Sequence, residues 1–143
     1  MTNEMFEKAN NGDKSILKLP KERLMIQDEN GNTPVHELAR VGVKEVIDLG
    51  KELLMIKDNY GCTPIHWMAQ QGVKEVLKLD KKFLSTENDD GNTPVHYLAY
   101  SGVKEVLDLG KELLKIKNVW GYTPVHYLAY RGVKIPEEYK ELV

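Results

Sequence analysis

The sequence is built on a period of thirty residues, and this period limits the folds open to the chain more than any other feature. The motif Thr-Pro-Val/Ile-His occupies residues 33–36, 63–66, 93–96 and 123–126. A constant period of this length is typical of proteins that stack one small structural unit on the next. Because each unit of such a stack contacts only its neighbours, the chain is expected to form one elongated array.

The period divides residues 1–143 into a single domain of about five units. Residues 31–60, 61–90 and 91–120 align without a gap and share the pattern G-x-T-P-[VI]-H-x-[LM]-A-x-x-G-V-K-E-V-[IL]. Residues 1–30 fit the same frame without the signature, and residues 121–143 begin a further copy that then diverges. The terminal units of a stack must present one face to water. We therefore interpret 1–30 as a degenerate N-terminal cap and 121–143 as a partial C-terminal cap.

Each full unit is predicted to begin with a short α-helix. Thr33 is placed to cap its N-terminus, because its hydroxyl can accept a hydrogen bond from a free backbone N–H. Pro34 follows at the first helical position, where a missing N–H costs nothing. Val35 and Leu38 then lie on one apolar stripe, and Gly42 is expected to end the helix.

A second helix is predicted to start near Val43 and to stop or bend at Gly50. The column that contains Gly50 holds Pro20, Gly50, Asp80 and Gly110, all of which are unfavourable inside a helix. Residues 51–54 then add a separate turn, and residues 57–61 form a turn that leads into the next unit. A continuous second helix is the alternative, because apolar residues keep helical spacing beyond residue 50.

The repeated signature resembles that of the ankyrin repeat, which has a period of about thirty-three residues and the motif T-P-L-H-x-A. The resemblance is strong over residues 28–132 and weak at both ends. It implies an all-α, ankyrin-like solenoid of stacked helix-turn-helix repeats joined by turns or short hairpins. It also implies a protein that binds other proteins through its turn tips and first helices, with no general catalytic activity.

The chain departs from the ankyrin pattern in three ways. Its period is shorter, and the missing residues fall after the second helix, between Leu49 and Asp58. The alanine expected two positions after each histidine is replaced by Leu38, Met68, Leu98 and Leu128. The position directly after the histidine carries Glu37, Trp67, Tyr97 and Tyr127, where ankyrin repeats often have leucine. We expect the three aromatic residues of this column to pack between repeats.

The threonines and histidines of the signature are interpreted as structural residues. They are Thr33, His36, Thr63, His66, Thr93, His96, Thr123 and His126. Ligands of one zinc ion must converge to ~2.0–2.1 Å, whereas equivalent residues of stacked helices are ~8–10 Å apart. Each histidine is instead expected to bond the Thr hydroxyl and a neighbouring turn. The alternative is a metal-dependent or histidine-based enzyme, but we predict no catalytic residue, no metal and no cofactor.

Function is expected at the columns that differ between repeats, which lie at the turns and at the ends of the first helices. Aromatic residues gather there towards the C-terminal half, and Tyr, Trp and Arg are the residues most enriched at interface hot spots. Packing against neighbouring repeats or the stack end is the alternative. The predicted partner-binding residues are Tyr60, Tyr100, Trp120, Tyr122, Tyr130 and Arg131.

Composition narrows the class of partner. The formal net charge is −2, which gives no basis for binding nucleic acid or an anionic membrane and disfavours a single-stranded nucleic-acid binder. The single cysteine, Cys62, excludes an intrachain disulfide and fits a reducing compartment. The polar N-terminus lacks the apolar segment of a secretory signal.

We therefore predict a cytoplasmic scaffold or adaptor, in its own cell or in a host cell, that binds another protein. We expect a monomer, with a homodimer through the exposed aromatic residues as the alternative.

Overall fold

The computed structural model describes residues 2–143, and all regular structure within that range is helical. The α-helices are α1 (Thr2–Asn10), α2 (Lys21–Leu24), α3 (Pro34–Arg40), α4 (Lys51–Leu54), α5 (Pro64–Gln70), α6 (Lys81–Leu84), α7 (Pro94–Tyr100), α8 (Lys111–Leu114) and α9 (Pro124–Tyr130). The 3₁₀ helices are Lys14–Lys18, Lys44–Leu49, Lys74–Lys78, Lys104–Leu109 and Glu137–Leu142. The predicted all-α stack of helical repeats is confirmed at this level.

The first helices of successive repeats pack side by side and form one half of the core, and the 3₁₀ and second α-helices supply the other half. Helix α3 packs on α1 and on α5, and the same contact recurs between α5 and α7 and between α7 and α9. Leu38, Met68, Leu98 and Leu128 are fully buried along this line. Burial of a side chain of this size contributes about 1.5–3 kcal/mol. The repeated helix–helix contact therefore holds the stack together.

The first helices begin as the sequence predicts. Thr33, Thr63, Thr93 and Thr123 are the N-caps of α3, α5, α7 and α9, and a proline follows each of them. Each Thr hydroxyl accepts a hydrogen bond from the backbone N–H of the histidine three residues later. The predicted caps are therefore confirmed.

The break predicted at Gly50 is present, but the segment before it is a 3₁₀ helix and not an α-helix. Three residues per turn direct Val43, Val46 and Leu49 to the same side of the helix, towards the first helices. Val43 and Val46 are buried and Leu49 is half-buried. An α-helix, with 3.6 residues per turn, would rotate these side chains away from one another.

The four equivalent residues at the break, Pro20, Gly50, Asp80 and Gly110, adopt two different backbone conformations. Gly50 and Gly110 have φ of 91° and 99°, and each follows a 3₁₀ helix that runs to the preceding leucine. Pro20 and Asp80 have φ of −57° and −60°, and the preceding 3₁₀ helices end two residues earlier. Glycine is needed only where the chain takes the left-handed conformation, so the two kinds of repeat differ at this point.

The turns between repeats form a second line of contacts beside the first helices. Each turn donates a backbone hydrogen bond to the turn before it: Asn59 N to Asn30 O at 3.0 Å, Asp89 N to Tyr60 O at 3.0 Å, and Val119 N to Asp90 O at 2.9 Å. These bonds between turns are made by backbone atoms and do not depend on the identity of residues 30, 59, 60, 89, 90 and 119.

Lysine and glutamate pairs connect successive repeats through the 3₁₀ and second α-helices. The pairs are Lys14–Glu45, Lys44–Glu75, Lys74–Glu105, Lys21–Glu52, Lys81–Glu112 and Lys111–Glu141. All of these side chains are well exposed, and exposed pairs typically contribute about 0–1 kcal/mol each. The pairs therefore add little to the stability that core packing supplies.

Gly61→Ala is expected to lower the free energy of unfolding by more than Gly121→Ala. Both glycines have a positive φ, 79° and 83°, so alanine costs about 1–2 kcal/mol at either position. A Cβ at Gly61 would also lie 2.5 Å from Oδ1 and 2.9 Å from the backbone N of Asp89, whereas one at Gly121 meets no atom within 4 Å. Such overpacking adds about 1–3 kcal/mol. Urea unfolding measures the difference, and equal losses would contradict the close packing of successive turns.

Candidate functional site

Each signature histidine is held by its own helix N-terminus. In the first full repeat the backbone N–H of Thr33 donates to His36 Nδ1 at 3.0 Å, and the His36 N–H donates to Thr33 Oγ1 at 3.2 Å. The same pair of bonds recurs in the three later copies of the motif. The bond to the Thr hydroxyl that the sequence predicts is therefore confirmed.

The other ring nitrogen of the histidine reaches the next repeat. The Nε2 atoms of His36, His66 and His96 lie 3.0 Å from the backbone carbonyl oxygens of Cys62, Asn92 and Tyr122, respectively. A carbonyl oxygen only accepts, so Nε2 must carry the hydrogen and Nδ1 must be the acceptor. The predicted bond to a neighbouring turn is present for these three histidines and fixes each ring as one neutral tautomer, whereas His126 bonds only Thr123 among the described residues.

Burial keeps these imidazoles neutral. It lowers the pKa of His66 and His96 to about 4, because the charged ring loses solvation, and it lowers the pKa of His36 in the same direction. Both ring nitrogens of the three residues are already hydrogen-bonded, so a metal ion or a substrate would have to displace those bonds. Residues 2–143 contain no group of three or more His, Cys, Asp or Glu side chains arranged to hold a metal ion.

A second arrangement, which recurs in three repeats, joins a turn residue to the aromatic residue that follows the histidine. Asp58 Oδ2 accepts a hydrogen bond from Trp67 Nε1 at 3.1 Å. In the next two repeats Asn88 Nδ2 and Asn118 Nδ2 donate to the hydroxyls of Tyr97 and Tyr127, each at 2.9 Å. An indole N–H can only donate, which suits a carboxylate, whereas a phenol oxygen can accept from an amide.

These pairs also build the turns. Oδ1 of Asp58, Asn88 and Asn118 accepts two backbone N–H bonds within its own turn. Sequence reasoning missed this role. The signal was available, since Asp occurs with Trp, and Asn with Tyr, at a constant separation of nine residues.

The asparagine side chains also bond backwards along the stack. Asn118 Nδ2 donates to Asn92 Oδ1 at 2.9 Å, and Asn88 Nδ2 donates to Cys62 Sγ at 3.3 Å. A carboxylate at residue 58 cannot donate such a bond, and Asn32 Oδ1 is buried with no hydrogen-bond partner among the described residues. The donor or acceptor character of this column therefore affects the preceding repeat as well.

Two of the three aromatic residues predicted to pack between repeats do so edge-on against histidines. The Tyr97 ring centroid lies 5.9 Å from that of His66, and the Tyr127 centroid lies 6.1 Å from that of His96. Burial raises the pKa of Tyr97 to about 12.

Cys62 is buried in the same layer, and burial raises the pKa of its thiol. A raised pKa disfavours the reactive thiolate, as expected of a residue that serves as a small packing group.

The predicted partner-binding residues all lie at the surface, on the turns and at the ends of the first helices. Tyr130 is 77% exposed and Trp120 is 60% exposed, although both are large aromatic side chains. Tyr60, Tyr100 and Tyr122 are also exposed, as is Arg131. Their role in binding stays a prediction.

The structure brings three of these residues into one groove. Tyr100, Tyr122 and Tyr130 line it together with His126 and Tyr127, and its volume is about 330 Å³. We call this site the tyrosine groove. Tyr127 was predicted to pack between repeats, and it both packs on His96 and forms a wall of the groove. Tyr60, Trp120 and Arg131 are not among its lining residues.

The rings of the tyrosine groove brace one another. Tyr100 and Tyr130 are almost parallel, at an interplanar angle of 6° and a centroid distance of 6.5 Å. Tyr127 meets Tyr100 edge-on at 5.6 Å and Tyr122 at 5.9 Å. Such edge-to-face pairs contribute about 0.5–1.5 kcal/mol beyond area burial. The groove is therefore formed by mutually supported aromatic walls before any partner binds.

Comparisons with known proteins do not place the chain in a family. No protein-family model matches the sequence, and no match to a curated protein was found. Among the described residues, no helix combines the length and apolar character required to cross a membrane.

Stability is expected to fall as the pH is lowered from 6.5 towards 4. The folded-state pKa of His66 and His96 is about 4, below the unfolded value of about 6.5. The unfolded chain therefore binds more protons in this interval. The contribution of these two histidines to the free energy of unfolding is complete above pH 6.5 and is lost as the pH approaches 4. The loss should approach about 3 kcal/mol for each histidine. Urea unfolding at pH 7.0, 5.5 and 4.5 measures it.

Paired carboxylates contribute only at the acidic end of this interval. The pKa of Glu45 is lowered mainly by a hydrogen bond from Lys14, and that of Glu141 mainly by one from Lys111. Their contribution is lost only below the ordinary pKa of a glutamate. NMR titration of the ring protons identifies the groups that respond. Ordinary pKa values for His66 and His96 would contradict the buried, neutral assignment.

Proposed function

We propose that this chain is an ankyrin-like repeat protein of the cytoplasm that binds another protein and performs no catalysis. In this proposal the stacked helices are the scaffold, and the turn tips and the ends of the first helices are the binding surface. The repeated T-P-[VI]-H signature, its capped helix and its bond to the next turn support the ankyrin-like assignment.

The observation that carries the proposal is the large exposed aromatic surface at the C-terminal half of the stack. Single exposed aromatic side chains are common on protein surfaces, but contiguous exposed apolar patches commonly mark interaction sites. Tyr and Trp combine a large apolar area with few rotatable bonds, so ordering them on binding costs little entropy. The tyrosine groove and the neighbouring Trp120 have these properties.

The enzyme alternative has less support. It depended on the repeated histidines, and His36, His66 and His96 use both ring nitrogens for hydrogen bonds within the stack. Their pKa values are lowered by burial, which leaves the rings neutral and removes them from solvent. A general acid or base must reach its substrate within hydrogen-bond distance, and these rings are buried.

The double variant Trp120→Ala/Tyr130→Ala is expected to reduce capture of a partner protein at least about tenfold, because hot-spot aromatic residues typically contribute more than 1 kcal/mol each. Both side chains are exposed, so the fold should be retained. Affinity capture from lysates of the source cell and of a host cell, followed by quantitative mass spectrometry, identifies the proteins whose recovery falls.

Met25→Ala is the matched control, because it also removes an exposed apolar side chain but lies at the end of α2. Circular dichroism and thermal unfolding establish that all variants are folded. Equal recovery of every captured protein by wild type and the double variant would contradict binding through this surface.

A further inference from the structure

Two of the four turns of the stack carry exposed carboxylates. We define the turn strip as residues 28–30, 58–60, 88–90 and 118–120, which backbone hydrogen bonds join from turn to turn. The strip contains Asp28, Glu29, Asp58, Asp89 and Asp90, and it contains no lysine or arginine. The chain as a whole has a formal net charge of only −2, so the strip is more negative than the rest of the chain.

The exposed carboxylates of the strip face solvent. Glu29, Asp89 and Asp90 are exposed, and Asp28 is half-buried. Asp58 is buried, and its carboxylate is used within the turn and by Trp67. Lys57 and Lys117 are exposed and directly precede two of the turns, and the Lys57 ammonium group donates along the stack to the Glu87 carbonyl oxygen. Within the strip the accessible carboxylates are Glu29, Asp89 and Asp90, and negative charge is densest at Asp89 and Asp90, one turn before the groove.

The turn strip runs directly into the tyrosine groove. Its last turn carries Trp120, and Tyr122, a wall of the groove, follows two residues later. Positive charge flanks the groove itself: burial and the nearby Lys117 lower the pKa of His126, and Arg131 follows Tyr130. A cation would consequently be favoured along the strip and disfavoured inside the groove.

We infer that the occupant of this surface is an extended basic segment of a partner protein, with its lysine or arginine residues along the turn strip and an apolar or aromatic residue next to them in the tyrosine groove. This inference rests on the proposed protein-binding function and adds the chemistry of the partner. Charge complementarity decides the class, since an acidic strip repels nucleic acids and anionic membranes.

Geometry favours an extended chain over a folded domain as the occupant. Successive repeats are separated by about 8–10 Å, and an extended chain advances about 3.3 Å per residue. About three residues therefore pass each turn, and about twelve cover the strip and reach the groove. The groove volume lies at the low end of the ~300–1,000 Å³ typical of ligand sites, which suits one or two side chains.

The test is a selection from a library of random twelve-residue peptides on the immobilised full chain. Peptides enriched by the wild type are expected to contain a clear excess of lysine and arginine over the library. One enriched peptide, labelled with a fluorophore, is then titrated with each variant by fluorescence anisotropy at low and high salt. No enriched peptide, or enrichment of neutral or acidic peptides, would overturn the inference.

Asp89→Asn/Asp90→Asn removes charge without introducing a residue that is foreign to the fold, because Asn59 and Asn30 occupy the same two columns in other repeats. It is expected to weaken peptide binding about three- to tenfold at low salt and to reduce the salt dependence. Glu52→Gln/Glu112→Gln, which removes two charges from the helical side of the stack, should change affinity less than twofold. An equal effect of the two double variants would overturn the inference.

Tyr130→Ala is expected to weaken binding of the same peptide while leaving its salt dependence unchanged, because the groove contributes apolar contact.

The inference and the proposed function fail in different ways. A captured partner that depends on Trp120 and Tyr130, but not on Asp89, Asp90 or salt, would overturn the basic-segment inference and leave protein binding in place. Capture that is insensitive to Trp120 and Tyr130 would overturn the proposed function.

Discussion

The hydrogen bond from histidine Nε2 to the backbone carbonyl of the next turn is the interaction on which the rest of the structure depends. It is made by His36, His66 and His96, and each bond joins the N-terminus of one helix to the turn of the following repeat. Because the same ring is bonded at Nδ1 to its own cap, one side chain fixes both the start of its helix and the position of its neighbour. The stack therefore has a defined repeat-to-repeat geometry independent of its variable residues.

That fixed geometry explains why function is expected in columns that the scaffold does not need. The bonds between turns include backbone pairs in every junction, and the core is supplied by the first helices together with the 3₁₀ and second α-helices. Turn side chains such as Trp120 and Asp90 can change without loss of either. The result is a surface whose chemistry varies along the stack, acidic over the turns and aromatic at Tyr100, Tyr122 and Tyr130.

Much of this architecture could be predicted from sequence because local rules apply at each signature residue. Thr33 as cap, Pro34 at the first helical position and the break at Gly50 all follow from backbone chemistry. The 3₁₀ form of Lys44–Leu49 could not, because helical spacing alone does not distinguish three from 3.6 residues per turn over so short a segment. The tyrosine groove was predicted only as a group of exposed residues. The walls of the groove depend on the orientations of the tyrosine rings, which the sequence does not reveal. Tyr127 both packs between repeats and lines the groove.

The pairing of the turn residue with the aromatic residue nine positions later has a consequence for the order of the repeats. Asn88 and Asn118 donate a hydrogen bond backwards, to Cys62 and Asn92, whereas the carboxylate of Asp58 has no hydrogen to give. Asn32 Oδ1 remains without a partner in the described part of the chain. An Asn in this column therefore suits a preceding repeat that offers an acceptor, whereas an Asp cannot satisfy one. The units are thus not interchangeable, because the hydrogen bonds made at each junction depend on whether this column carries Asn or Asp.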